Sequence, residues 1–305
     1  MKPRGRFAPS PTGELHLGNA RTALLAWLWA RAEGGTFAMR VEDIDLPRVR
    51  PGVAERQLGE LRWLGVDWDG PPVFQSQRTA LYEEALQKLR DHVYDCFCSR
   101  AEIAAAASAP HGDEGPRYPG TCAELTSAQR ARRKRTRAPS LRLRVPPGPI
   151  SFSDEIAGPQ SFDVQAMVGD FVLRRADGIF AYQLAVTVDD GAMGITQVLR
   201  GADLLFSTPR QILLHRLLGQ AEPRWAHAPL VLSESGERLS KRDTPQSLSA
   251  LRGAAIKPQH VIAHLARLTG IDLAPGTSQC EPRDLLSGFS LSRVPRHPVR
   301  AGILR

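Results

Sequence analysis

Two stretches more than two hundred positions apart carry residue types that can hold a nucleotide between them. The first runs Arg6-Phe7-Ala8-Pro9-Ser10-Pro11-Thr12-Gly13-Glu14-Leu15-His16-Leu17-Gly18-Asn19, a short strand, a Pro/Gly turn, then a histidine and a glycine opening an amphipathic helix. A helix N-terminus presents unpaired N–H groups and a partial positive charge, so a phosphate placed there is stabilised. His16 adds a donor, and Gly18, lacking a Cβ, lets a flat base or a ribose approach the backbone. The second stretch, Arg238-Leu239-Ser240-Lys241-Arg242, sets cationic donors beside a hydroxyl and is suited to close over a polyphosphate. Lys241 supplies a mobile charge for phosphates that gain charge as a bond to phosphorus breaks. Either stretch alone is a common pattern; the two together, in this order, point to nucleotide chemistry.

The elements around them follow an α/β pattern. Leu17, Ala20, Leu24, Trp27 and Leu28 share a helical face, the helix runs to about Ala32, and Gly34-Gly35 stops it. Thr36 to Val41 alternates as a strand does and delivers Glu42, Asp43 and Asp45 at its carboxyl end, where ligands of open parallel sheets collect. Helices are expected from about Val53 to Leu64 and from Arg78 to Val93, strands over Gly178–Asp189 and Gly194–Leu199, and a helix over Pro209–Leu218. Strand and helix in alternation predict a doubly wound parallel sheet. Its halves would be residues 1–94 and 170–245. Between them, 95–169 is rich in Ala, Arg, Pro and Gly and reads as an inserted module. Residues 246–305 offer one helix near Pro258–Thr269 and a tail rich in Pro and Arg from Arg293 to Arg305.

Three of the four cysteines fall in or beside the insertion: Cys96 and Cys98 as a Cys-x-Cys pair, and Cys122 after Tyr118-Pro119-Gly120-Thr121. Clustered thiols in a chain without secretory features more often hold a metal than a disulfide, and zinc would need a fourth ligand. By residue type His111 and His92 are the ordinary choices. Packed, reduced cysteines are the alternative, and Cys280 belongs with those.

The 305 residues carry 40 Lys and Arg against 32 Asp and Glu, a net charge of +8, so the surface attracts polyanions. Arg130 to Arg137 is the densest basic cluster, either a phosphate-binding patch or a solvated helix face. There is no 18-residue apolar run and no signal-peptide pattern at Met1-Lys2-Pro3-Arg4, so no membrane partner and a cytoplasmic location are expected.

The first stretch resembles the His-Ile-Gly-His element of class I aminoacyl-tRNA synthetases, and Arg238–Arg242 resembles their Lys-Met-Ser-Lys-Ser loop. Arg6–Gly13, Val41-Glu42-Asp43-Ile44-Asp45 and Val198-Leu199-Arg200-Gly201-Ala202-Asp203 are similar to the glutamyl branch, and the likeness covers most of the first 245 residues. It departs at two places: Asn19 replaces the last histidine of the first element and Arg238 the first lysine of the second, which would weaken or replace the contacts those residues make. The resemblance implies a Rossmann-type catalytic domain in which His16, Gly18, Ser240 and Lys241 are catalytic, with His16, Gly18 and Lys241 on ATP. It also implies Mg2+ accompanying ATP, for which no dedicated ligands are read.

By the same resemblance Arg6, Phe7, Ala8, Pro9, Ser10, Glu42, Tyr182 and Arg200 line a pocket for L-glutamate. The residue types suit it: Glu42 the ammonium, Arg6 and Arg200 carboxylates through their planar guanidinium forks, Tyr182 the side-chain carboxylate, Ser10 the backbone end. In each case a plainer role exists: Arg200 paired with Asp203, Tyr182 as a core aromatic, Glu42 capping a loop. The branch carries an anticodon-binding region for which this length leaves no room. The chain therefore looks like its truncated paralogues, which attach glutamate to the queuosine base of tRNA(Asp). Those carry a Cys-x-Cys, a tyrosine and a cysteine, which makes Tyr118 the candidate fourth ligand to a structural Zn2+ with Cys96, Cys98 and Cys122. A monomer is expected. A tRNA-binding module that has lost catalysis, and an ordinary glutamyl-tRNA synthetase core, are the competing readings.

Overall fold

The computed structural model describes residues 2–106, 116–237, 246–302 and 304. From the N-terminus come β1 (Arg4–Phe7), α1 (Leu17–Ala32), β2 (Thr36–Val41), α2 (Val53–Trp63), β3 (Val73–Phe74), α3 (Thr79–Lys88) and β4 (Val93–Cys96). Then follow α4 (Arg100–Ala106), α5 (Ser127–Lys134), β5 (Ser140–Leu143), β6 (Ile150–Asp154), β7 (Gly158–Phe162), α6 (Val164–Met167) and β8 (Val172–Arg174). The remainder comprises α7 (Tyr182–Ala192), β9 (Gln197–Gly201), α8 (Thr208–Leu217), β10 (Arg224–Ala228), β11 (Val231–Leu232), α9 (Leu248–Gly253), α10 (Pro258–Leu268) and β12 (Val299–Arg300).

The main sheet has the order β3-β2-β1-β9-β10-β6-β7, parallel throughout except for the antiparallel β6–β7 hairpin at one edge. The order reverses between β1 and β9. That is the switch point at whose strand carboxyl ends ligands of such sheets bind. Helices cover both faces. Alternation along β2 shows how: Phe37, Met39 and Val41 pack in one core with α1 and α10, while Ala38 packs in the other with α3, α7 and α8. A third, small core of Tyr94, Cys96, Phe97, Ile103, Tyr118 and Cys122 lies beside the separate antiparallel sheet β4-β5-β8.

Several expectations need correction. The strand expected over Gly178–Asp189 is instead helix α7. Leu184-Ala185-Val186-Thr187-Val188 is an unbroken, β-branched run that reads as a buried strand, but every one of these residues is buried because the helix is enclosed by the sheet, α3 and α8. The helix expected to reach Val93 ends at Lys88; Arg90–His92 form a tight turn, and Val93 opens β4. Two strands from within 95–169, β6 and β7, extend the main sheet. On the Arg-rich tail, whose order composition leaves open, Val294 and Ala301 lie in the first core and β12 pairs with β11.

Candidate active site

The turn between β1 and α1 is fixed by its own polar groups. His16 is the N-cap of α1: its Nδ1 accepts from the Gly18 and Asn19 amides at 3.1 and 3.4 Å, and the Asn19 Oδ1 accepts from the His16 amide at 3.1 Å. Because Nδ1 accepts, neutral His16 carries its proton on Nε2. A Cβ at Gly18 would stand 3.0 Å from the His16 ring, so the glycine is what lets the ring fold back over the helix end. Gln57 of α2 donates to the carbonyls of Ser10 and Gly13 at 3.2 and 2.7 Å, pinning the preceding turn. From the other end of the chain, Leu248 donates its amide to the Leu15 carbonyl at 2.8 Å, and Ser247 forms a bridge with His16.

Beside this helix end opens a cavity of about 400 Å³, the size of a small-molecule site. Arg6, Phe7, Ala8, Pro9, Ser10, His16, Gly18, Glu42, Tyr182 and Arg200 all line it. The cavity therefore gathers every residue expected at the amino acid and every described residue expected at the nucleotide. Ser240 and Lys241, with Arg238, lie outside the described residues. A larger cleft of about 890 Å³ shares Ser10, Glu42 and Tyr182 with it and runs along β4 toward Cys98, Arg100 and Arg137.

Under the cavity floor is a charge network that residue types alone did not reveal. Asp190 of α7 accepts from Arg6 Nε and Nη2 at 3.3 and 3.4 Å and from Arg40 Nη1 at 2.6 Å, and all three residues are buried. Arg40 also donates to Glu42 at 3.3 Å and lies 3.8 Å from Asp189, which receives Arg78 Nε, Gln75 and Tyr82. The bonds to Asp190 use Arg6 Nε and Nη2 and leave Nη1 unused by that carboxylate, in a residue that lines the cavity. Burial pushes the Glu42 carboxyl up, against the pull of Arg40 and Arg6, and an ammonium beside it would favour the charged form. Burial likewise pushes Tyr182 up, with Glu42 adding, which keeps its hydroxyl a donor.

Arg200 differs from the fork its type suggested. Its Nε donates to His227 Nε2 at 3.0 Å, Nη1 to Gln211 at 2.8 Å, and Nη2 to the Leu204 carbonyl and Thr208 Oγ1 at 3.3 and 2.9 Å. Four of its five N–H groups thus have protein acceptors. It can reach a ligand through one nitrogen and through its charge. Asp203 is not among its partners.

The three cysteine sulfurs lie within 4.8 Å of one another, and Cys98 and Cys122 are 3.6 Å apart. A tetrahedral zinc with bonds of about 2.3 Å needs sulfurs about 3.8 Å apart. Tyr118 Oη is 3.4 Å from Cys96 Sγ and accepts the Cys122 amide at 2.8 Å. Arg133 reaches Cys122 Sγ at 3.7 Å, and the Arg142 guanidinium stands 3.8 Å from the Tyr118 ring centre. Burial and the neighbouring thiols push Cys98 up to about 12, the mutual repulsion that a cation at this spot would relieve. The donor set fits a closed zinc site. His92 is exposed and outside the sulfur group, and His111 lies outside the described residues.

The model for tRNA synthetases class I (E and Q), catalytic domain, matches residues 2–297. A glutamyl-Q tRNA(Asp) synthetase of Symbiobacterium thermophilum is 53% identical, the alignment covering 97% of this chain and 95% of that one. Its counterpart from Nocardia farcinica is 51% identical, with 96% and 91% covered. Among solved structures, a glutamate tRNA ligase from Elizabethkingia meningosepticum in complex with its amino acid superposes with a TM-score of 0.85 at 30% identity, over 99% of this chain and 67% of that one. The chain belongs to the class I synthetase catalytic-domain family for glutamate and glutamine and, within it, to the glutamyl-Q tRNA(Asp) synthetases.

Proposed function

We propose that this chain activates L-glutamate with ATP, without needing tRNA, and transfers the glutamyl group to the queuosine base in the anticodon loop of tRNA(Asp). The observation that carries this is the single cavity that joins the His16 helix end to Arg6, Glu42, Tyr182 and Arg200. Glu42 receives the substrate ammonium, Arg6 Nη1 and the Tyr182 hydroxyl the side-chain carboxylate, and Ser10 the backbone end, with Phe7, Ala8 and Pro9 as the wall. An α-carboxylate oxygen attacks the α-phosphorus of ATP in line, the bond to the bridging oxygen breaks, and pyrophosphate leaves. His16, its proton on Nε2 and Gly18 behind it, faces the phosphates. Ser240 and Lys241, which lie outside the described residues, act on the leaving pyrophosphate through a hydroxyl and a cationic charge. Positioning and charge carry this step. An acceptor hydroxyl on the modified base then attacks the acyl carbon, and AMP leaves.

The larger cleft, continuous with the glutamate pocket through Ser10, Glu42 and Tyr182, is the path for that base. Mg2+ accompanies ATP. Cys96, Cys98, Tyr118 and Cys122 hold one zinc whose role is structural, bracing the 95–169 insertion between catalytic halves 1–94 and 170–245. Residues 246–305 support the catalytic body. We place the protein in the cytoplasm as a monomer; no helix among the described residues is long and apolar enough to cross a membrane.

Glutamate-dependent ATP–pyrophosphate exchange should proceed without tRNA, and glutamate should then appear on queuosine-containing tRNA(Asp) and not on tRNA(Glu). Acylation of tRNA(Glu) instead would make the chain an ordinary synthetase core. No exchange would leave a tRNA-binding module.

A further inference from the structure

Arg200 lies on β9, His227 directly opposite it on β10, and Asp154 at the end of β6, the next strand along. All three are buried, none more than 4% exposed. Asp154 Oδ2 is 2.6 Å from His227 Nδ1, and Arg200 Nε is 3.0 Å from His227 Nε2. The protonation of this row follows from its ends. Thr208 Oγ1, which accepts from Arg200 Nη2 at 2.9 Å, is also 3.1 Å from His227 Nε2 and as a hydroxyl can serve either tautomer. An arginine Nε can only donate, so it selects the ring with a lone pair on Nε2 and the proton on Nδ1 facing the carboxylate. The reversed tautomer could donate to Thr208 Oγ1, but it would set its Nε2 proton against the Arg200 Nε proton and a lone pair against an anion at Nδ1. Doubly protonated imidazole would put a second cation against the guanidinium. Burial, helped by the Arg200 charge and opposed by Asp154, pushes His227 down to about 4, so the ring is neutral at working pH. Asp154 is itself held: its Oδ1 accepts the Ile156, Ala157 and His227 amides at 3.0, 2.7 and 3.2 Å.

We infer that Asp154 and His227 are positioning residues that lock one imidazole tautomer and through it fix Arg200 against the amino-acid substrate. Asp154 belongs to the turn of the β6–β7 hairpin, inside the segment between the catalytic halves, so that segment reaches back through one ring to the substrate site. The inference rests on glutamate being the substrate, and its test separates the two. In protein labelled with 15N-histidine, His227 should carry its proton on Nδ1. Asp154→Asn keeps the Oδ1 acceptor for the three amides but offers an N–H to Nδ1; it should move the ring proton to Nε2. In pyrophosphate exchange the same variant should raise the glutamate KM at least about tenfold with kcat within about threefold, the split of an interaction equal in ground and transition states. His227→Phe should do the same, and His227→Gln, which keeps an acceptor for Arg200, should recover most of the lost affinity. A wild-type His227 protonated on Nε2 would overturn the lock whatever the activity. An unchanged KM in both Asp154→Asn and His227→Phe would overturn the positioning role. Absence of exchange in the wild type would instead remove glutamate activation, with the tautomer measurement still deciding the lock.

Discussion

Glu60 on α2 is an acid held where it does not want its charge. It is 2% exposed, and burial, with Glu14 adding, pushes its carboxyl up to about 7, offset in part by the Leu15 backbone. Because the folded value lies above the unfolded one, the native state holds the extra proton between about pH 4.5 and 7. Stability from this group is therefore complete below that window and lost as pH rises through it. Glu60→Gln should unfold like the wild type at pH 4.5 and be more stable by about 1–3 kcal/mol at pH 8, read from denaturant titrations at both values. A pH-independent difference would mean Glu60 stays ionised. Charge of this kind was hidden in the sequence. His16, Gly18, Arg6 and Glu42 stood out because they flank recognisable turns and strand ends. Arg40, Asp190, Asp154 and His227 did not, since a buried charge looks like a surface one until its partner from another element is known.

At the level of elements, legibility followed the signals at element ends. Helices α1, α2 and α10 each start or stop at a cap, glycine or proline that the sequence displays. Asn19, a departure from the family element, closes the capping box of α1, so it holds His16 in place. Helix α7 is as enclosed as the middle of α1, but its N-cap is Ala181 with no capping side chain, so nothing at its start sets its β-branched run apart from a buried strand. The module around β4, β5 and β8 was visible through its composition and its cysteines, and its own core is a handful of side chains. So small a core needs a staple. Purified protein should contain about one zinc per chain, and Cys96→Ser should lose it. Chelation should open the 95–145 region to limited proteolysis while exchange persists, because that cluster and the glutamate cavity share no residue. Metal-free protein with unchanged proteolysis would return these thiols to ordinary packing.

Across the whole molecule two kinds of charge are kept apart. The proposed substrate site stands on guanidiniums and a carboxylate, Arg6, Arg40 and Asp190, that are buried and mutually paired. The net charge of +8 is expressed elsewhere: helix α5 buries none of its residues, and Arg132, Lys134 and Arg135 are exposed, as are Arg48, Arg100 and Arg137 at the larger cleft. In the same cluster Arg130 and Arg137 each donate to backbone carbonyls, so part of it holds the module together and part faces solvent. Ions in solution screen exposed charges far more than buried ones. Phosphate contacts made by the exposed set release counterions, with a slope near 0.7 per contact on single strands. Raising salt from about 50 to about 200 mM should therefore weaken tRNA association about 50-fold if four phosphates are engaged, while tRNA-free exchange changes by less than about threefold. Reversing Arg132 and Arg135 to Glu should flatten the tRNA slope and leave exchange intact. Equal salt sensitivity in the two assays would place the polyanion contact inside the glutamate site, and the separation of surface and buried charge would lose its function.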